Sequence, residues 1–492
     1  MGLPARRLRS LLDSTELHLR NAEVEFNDLA EWLLTPETLE KPIHQVEAEH
    51  EELVREMARQ LLQAHLNQRG TGDVGPALEV RENEQRLTQK RTHRRKLKTI
   101  FGEVTATRTA YYSPGAESVH PLDEQAVLPK RSFSYELQRR VCLGAVQGPF
   151  DEALDNVFAA TGVRLSKRSA EDLVREAAED FDAFYEQKEV PSPAESGPIL
   201  VAAVDRKGIP VVKPEKALRV VRKGKGKRAN KKRLSTVATV FSTEPRVRTP
   251  EEVVERLFYE GPRLSTTKRR KPEDKRVWAS LSKSHKEVIA EVREEVDRRD
   301  PDQAKVCALV VDGERGLQQA LAKELPRGIE ILDLMHALER LWKLAYVFHD
   351  EGTEEAKDWV RYRVLRLLKG EISQVIKGIR QSATKRKITG SKREVVDKAT
   401  GYLYRNRHRM RYGEYLAAGL PIASGSVEGA CKNLVKDRFE RSGMRWTIET
   451  AEALLRLRAA YRSGDFEDYW SFHVVQEQRR IHPDDAWRVV EK

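Results

Sequence analysis

The chain has 492 residues, enough for about three domains of ordinary size and a sizeable buried core. It carries 89 Lys and Arg against 77 Asp and Glu, a net charge of +12. Its longest apolar runs, such as Ile199–Val204 and Val306–Val311, fall far short of the roughly 18 residues that span a bilayer, which excludes a helical membrane protein. The first residues hold no apolar signal-peptide core, so the expected compartment is the cytoplasm. Cys142, Cys307 and Cys431 lie far apart and form no CxxC pair, which argues against a disulfide framework or a zinc knuckle and for buried, reduced thiols.

In chain order, residues 1–94 read mainly as charged helices, with Val46, Leu53, Met57, Leu61 and Leu62 at helical spacing and a break at Thr71–Pro76. Residues 95–190 form a second region. Arg95–Tyr112 alternates on either side of Gly102 and predicts a β-hairpin. Phe150–Ala160 and Ser166–Ala177 predict two amphipathic helices joined by a glycine turn. That spacing fits a helix-turn-helix with Lys167 and Arg168 at the start of a recognition helix, and equally an ordinary αα-hairpin.

The Pro191–Pro198 stretch predicts a linker, after which the composition turns α/β. Strands are expected at Ile199–Val204, Ile209–Lys213, Leu234–Ser242, Val306–Val311 and Ile329–Leu332. Helices are expected at Pro250–Tyr259, at Lys275–Arg298, and after Gly316 and Asp333. The α/β domain begins with 197–339, is interrupted by a basic helical insertion at 340–418, and resumes with C-terminal helices at 419–492.

The positive charge is concentrated. Between Lys357 and Arg411 there are seventeen basic residues against four acidic ones, including Lys385, Arg386 and Lys387, so the remainder is close to neutral. A second run holds Arg219, Arg222, Lys223, Lys225, Lys227, Arg228, Lys231, Lys232 and Arg233 without one acid. One such run can be a solvated face; two favour a polyanion whose phosphates they neutralise. Double-stranded DNA is the expected partner.

Three carboxylates carry the chemistry. The runs ending in Asp205 and Asp312 each place six apolar residues directly before an aspartate. A continuous apolar run marks a strand buried on both faces, and α/β sheets gather their chemistry at strand carboxyl ends. The alternative is a plain turn at Asp312-Gly313 and a plain strand end at Asp205. Glu428 lies on a helix opened by Ser424, at the edge of a stripe of Val427, Ala430, Cys431, Leu434 and Val435. It also suits a helix-dipole role, paired with Lys432. Converging acids need cations, and hard oxygen ligands with no His or Cys nearby imply two Mg²⁺ or Mn²⁺ ions, the arrangement for phosphodiester displacement.

Asp205, Asp312-Gly313-Glu314-Arg315-Gly316, Asp333-Leu334-Met335-His336, Ser424-Gly425-Ser426-Val427-Glu428 and Ser442-Gly443-Met444-Arg445-Trp446 together resemble a DDE transposase. The resemblance is to the Kra-type insertion-sequence family, a bacterial group related to Mutator-like transposases. It covers most of the chain, including the hairpin at Phe101-Gly102-Glu103-Val104, and is most specific from Asp312 to Trp470. It implies an RNase H-like catalytic domain with an all-helical insertion between the second aspartate and the glutamate, and Asp205, Asp312 and Glu428 as catalytic metal ligands. Asp333 and His336 resemble an Asp-or-Cys, two residues, His signature and would support those ligands, although the apolar stripe of Leu334, Leu338, Leu341, Trp342 and Ala345 puts His336 on the opposite face, where it could simply be solvated. Arg445 and Trp446 would hold or stack on DNA near the cut, a core tryptophan being the alternative. The family's habits imply a homodimer or larger assembly in the bacterial nucleoid. The expected activity is hydrolysis and strand transfer at transposon ends, with a nuclease that only cuts and a non-enzymatic DNA-binding regulator as rivals.

Overall fold

The computed structural model describes residues 5–212, 232–259, 261, 272–423, 425–483 and 486–490. The chain forms two compact units, one of residues 1–186 with 466–492, the other of residues 187–465. The span 419–492, assigned above to the α/β half, thus divides at residue 465. No helix among the described residues is long and apolar enough to cross a membrane.

In the first unit the helices Ala5–Leu33 and Ile43–Gln68 precede a small sheet of β1 (Ala77–Val80) and β2 (Gln85–Leu87), which the helical reading of 1–94 missed. The predicted hairpin is present as β3 (Gln89–Thr99) and β4 (Gly102–Tyr112), paired through eleven residues each around a two-residue turn at Ile100-Phe101, with Gly102 leaving the turn at φ +123°. Its apolar face, Leu97, Val104 and Ala106, packs with Leu66, Leu122 and Leu128. The C-terminal strand Trp487–Val490 pairs antiparallel with β1. In the preceding Phe466–Ile481 helix, buried His473 meets Asp180 at 2.7 Å. These long-range pairings leave no local trace in the sequence.

The two amphipathic helices are also present, at Phe150–Thr161 and Lys167–Ala177. Gly162 closes the first in a left-handed conformation at φ +69°, and the Ser166 side chain caps the second by accepting from the Ser169 amide.

The second unit is built on a mixed five-stranded sheet in the order β7-β6-β5-β8-β9. Its strands are β5 (Ile199–Pro210), β6 (Lys232–Thr243), β7 (Glu273–Ser280), β8 (Val306–Val311) and β9 (Ile329–Leu332). β5, β6 and β7 are antiparallel neighbours, while β8 and β9 run parallel to β5. Ile199 to Val204 are all buried, as their unbroken apolar run requires.

Two expectations fail here. The strand expected at Ile199–Val204 runs on to Pro210 and takes in the start of the one expected at Ile209–Lys213, because β6 supplies an antiparallel partner for every residue from Ile199 to Pro210; Val211 only bridges to Trp446, and Lys213 lies outside the described residues. Lys275–Arg298 is not one helix: β7 ends at Ser280, and a new helix, His285–Arg299, starts behind a Ser284–Glu287 capping box. The ladder to β6 and burial of Val277, Trp278 and Ala279 override the helical reading. Beyond β9 the chain is helical at Leu334–Phe348, Glu354–Leu368, Ile372–Lys385, Gly390–Asn406 and Tyr412–Ala417. After Ile422, which accepts a backbone hydrogen bond from Leu334, comes the helix bearing Glu428.

Candidate functional site

The register of the parallel pair positions the two aspartates. Val204 lies opposite Val311, so the next residues, Asp205 and Asp312, are neighbours where β8 ends. Asp312 is at a strand end, as expected. Asp205 is not: it sits inside β5, paired with Val237 of β6, and is placed at the site because its other neighbour stops there. Asp205 accepts from the Arg206 amide at 2.6 Å, while the Arg206 guanidinium reaches Glu314 at 2.8 Å. Asp312 Oδ1 accepts from the Glu314 amide at 2.7 Å, folding the Asp312-Gly313-Glu314 turn back on its own carboxylate.

Glu428 arrives on the Gly425–Ala430 helix, which continues as a π-helical turn at Cys431–Lys436. Val427, Ala430, Cys431, Leu434 and Val435 are all buried, as the stripe predicts. Cys431, one turn after Glu428, donates its thiol to Asp205 Oδ2 at 3.1 Å, which ties this helix to β5. Burial, and then the nearby Asp205, raise the Cys431 pKa, so the thiol stays protonated and acts as a donor. Glu428 itself is exposed.

The third source is the start of the Leu334–Phe348 helix. Asp333 is fully buried and caps that helix through the Met335 amide at 2.6 Å, while its own amide bonds to the Val311 carbonyl. One turn later His336 turns toward the acids. Asp333, His336 and Glu428 each offer a ligand atom, all within 4.8 Å of one another. His336 Nδ1 is buried without a hydrogen-bond partner. His336 is half-buried on the face opposite the apolar stripe, and on that face it lies beside the exposed Glu428.

The electrostatics agree with the geometry. Burial, together with the charge of Asp205, raises the Asp312 carboxyl above its ordinary pKa despite the Glu314 amide and His336. Although Glu428 is exposed as a residue, protein packed around its carboxyl partly desolvates it, and this and the negative charges of Asp333, Glu339 and Asp205 raise its pKa, with His336 opposing. Such concentrated negative charge is tolerated where a cation neutralises it. Among the described residues the ligand atoms that lie within 4.8 Å of one another are those of Asp333, His336 and Glu428, two carboxylates and one imidazole whose Nδ1 lacks a partner, a set that can hold a divalent ion; Asp205 and Asp312, expected as ligands with Glu428, stand beside this group and not within it. The expectation of no His or Cys nearby fails, since His336 and Cys431 both lie at the site, and an imidazole beside carboxylates favours Mn²⁺ or a softer divalent ion over Mg²⁺.

The basic candidates divide. Lys167 and Arg168 are exposed on the first turn of their helix, and Lys167 pairs with Asp151 at 2.9 Å. Lys385, Arg386 and Lys387 are exposed at the end of the Ile372–Lys385 helix. Lys232 and Arg233 are exposed at the start of β6, the first paired with Glu440 at 2.8 Å and the second donating to the Leu281 carbonyl at 2.9 Å. Arg222, Lys223, Lys225, Lys227, Arg228 and Lys231 lie outside the described residues. Arg445 is exposed, but Trp446 is a core residue, 6% exposed, with its indole N–H on the Phe439 carbonyl at 3.2 Å and its ring against Phe439 and Arg438. It has no free face for a base.

Sequence reading missed Cys431 as a partner of Asp205, although its place three residues after Glu428 on the buried stripe was visible. It also missed Tyr402, whose hydroxyl donates to the Asp312 carbonyl at 2.6 Å, and Arg340, stacked 4.7 Å from that ring. No local signal marks either. A comparison with models of known protein families finds no match, and a comparison with curated protein sequences finds none either.

Proposed function

We propose that this chain cuts and joins DNA as a DDE-type transposase, with an RNase H-like catalytic unit interrupted by a basic helical insertion. The observation that carries this reading is the β5–β8 register, which brings Asp205 and Asp312 side by side, with Glu428 one turn from the cysteine bonded to Asp205. The sheet order, with three antiparallel strands followed by two parallel to the first, supports the fold assignment.

Asp205, Asp312 and Glu428 would hold two Mg²⁺ or Mn²⁺ ions, with Asp333 and His336 beside them. Such ions, when bound, supply the positive charge that activates an attacking oxygen and stabilises the leaving oxygen of a phosphodiester. The chain's own groups fix the carboxylates: the Arg206 and Glu314 amides orient Asp205 and Asp312, and the cap at Asp333 sets the helix that carries His336. The exposed Lys385–Lys387 cluster and the Lys167–Arg168 turn would neutralise backbone phosphates of double-stranded DNA, and two copies of the chain would bring two ends together.

The test is incubation of wild type, Asp312→Asn and Glu428→Gln with labelled DNA carrying the sequences that flank the coding region, in Mg²⁺, Mn²⁺ or EDTA. The expected result is metal-dependent cleavage and joining that both variants lose while DNA binding persists. Cleavage without joining would leave a nuclease, and binding without cleavage in any metal would leave a regulator.

A further inference from the structure

The basic helical segment after β9 does more than carry charge. Three of its tyrosines donate their hydroxyls to backbone carbonyls of β9 and the residue after β8: Tyr402 to Asp312 just past β8 (2.6 Å), Tyr412 to Leu332 at the end of β9 (3.0 Å) and Tyr415 to Glu330 near the start of β9 (3.2 Å). Asp312 lies just beyond the β8 ladder, which ends at Val311; the Asp333 amide holds the Val311 carbonyl before it, but no strand pairing holds the carbonyl of Asp312 itself. That carbonyl begins the turn that brings the Glu314 amide back to the Asp312 carboxylate at 2.7 Å, so a group that holds the carbonyl also holds the amide that orients the carboxylate.

Tyr402 and the turn are matched in shape. Gly313 adopts φ +88°, a left-handed conformation that favours glycine, and a methyl group there would lie 2.4 Å from the Tyr402 hydroxyl oxygen. Arg340 packs over the Tyr402 ring from the helix that also bears Asp333 and His336, four residues after His336. The ring is therefore gripped between the turn and the helix that supplies the other half of the acid cluster.

We propose that Tyr402 is a positioning residue for Asp312: its hydroxyl fixes the Asp312 carbonyl, and through it the carboxylate, so that the helical segment is a structural part of the acid site. This rests on the reading of Asp312 as a metal ligand. Tyr402→Phe keeps the ring and its packing and removes only the hydroxyl, and Tyr404→Phe, at an exposed tyrosine on the same helix, is the control.

The experiment compares wild type, both variants and Asp312→Asn by amide hydrogen exchange over residues 306–316 without metal, Mn²⁺ binding followed by electron paramagnetic resonance, and the split of DNA-cleavage kinetics into kcat and KM. For Tyr402→Phe the expected result is exchange at the Glu314 amide and Mn²⁺ dissociation each increased roughly three- to tenfold. In the same variant kcat falls and KM for DNA is unchanged, while Tyr404→Phe matches wild type throughout. Exchange and Mn²⁺ affinity of Tyr402→Phe equal to wild type would overturn the inference. Mn²⁺ bound equally by wild type and Asp312→Asn gives a different pattern; it overturns the acid-site reading, and the positioning role falls with it.

Discussion

Replacing Arg458 by methionine should loosen the helical turn that follows Glu428. Arg458 stands on the Ile448–Ser463 helix with its side chain fully buried. Its Nε donates to the carbonyls of Asn433 and Leu434, each at 3.0 Å, and Nη2 reaches Asp437 at 3.2 Å. Both carbonyls belong to the π-helical turn Cys431–Lys436, where the wider ring departs from the ordinary ladder. Burial, and then the neighbouring Arg462, bring its pKa down to about 10, so it is still charged at neutral pH. Methionine keeps most of the volume and removes every donor. Losing the partner of the buried Leu434 carbonyl costs about 1–3 kcal/mol. Asn433 is exposed enough for water to replace part of its bond, and the half-exposed Asp437 pair adds at most about 1 kcal/mol. Relief from burying a guanidinium offsets part of the total, leaving a net local cost of about 3 kcal/mol. At 1.4 kcal/mol per factor of ten, protection from hydrogen exchange over residues 431–439 should fall about a hundredfold. A local readout is appropriate because a chain of two units need not unfold in one step. A loss smaller than about threefold would refute the reasoning, since the carbonyls would then have other partners.

Two further outcomes follow from the same structure. Trp446→Ala should destabilise the α/β unit by about 3–5 kcal/mol, while Trp446→Phe should leave DNA affinity unchanged; a large affinity loss in the phenylalanine variant, measured by fluorescence anisotropy, would contradict its place in the core. Because Glu428 has a raised pKa in the folded chain, the native state binds more protons than the unfolded state from the ordinary carboxylate range up to the raised value. Stability falls as pH rises through that window, so Glu428→Gln should raise the metal-free melting temperature at pH 7 and, on the proposed metal site, abolish the further rise expected when Mn²⁺ is added to wild type. A lower melting temperature in EDTA would show that the charge is not under strain.

The sequence by itself determined the elements whose signals are local. Val306–Val311 and Ile329–Leu332 are strands at the expected residues, the hairpin turns at Ile100-Phe101 just before Gly102, and the helix after Gly162 starts at its serine cap. The burial of Val427, Ala430, Cys431, Leu434 and Val435 was likewise contained in a spacing of about 3.6 residues. The tertiary structure decided everything that depends on a partner distant in the chain. Asp205 reads as a strand end because the apolar run stops there, yet β6 carries the strand on to Pro210, and only the end of β8 makes its position special. Glu273–Ser280 became a strand because β6 offered it a ladder, and Trp446 became core because the backbone around it pairs with Pro210 and Val212. His336 and Tyr402 join the acid cluster through helices that fold back over the strand ends, a juxtaposition that no periodicity encodes. Short-range spacing fixes which face of an element is apolar; which element meets that face, and which polar groups are carried into the seam with it, is settled only when the whole chain packs.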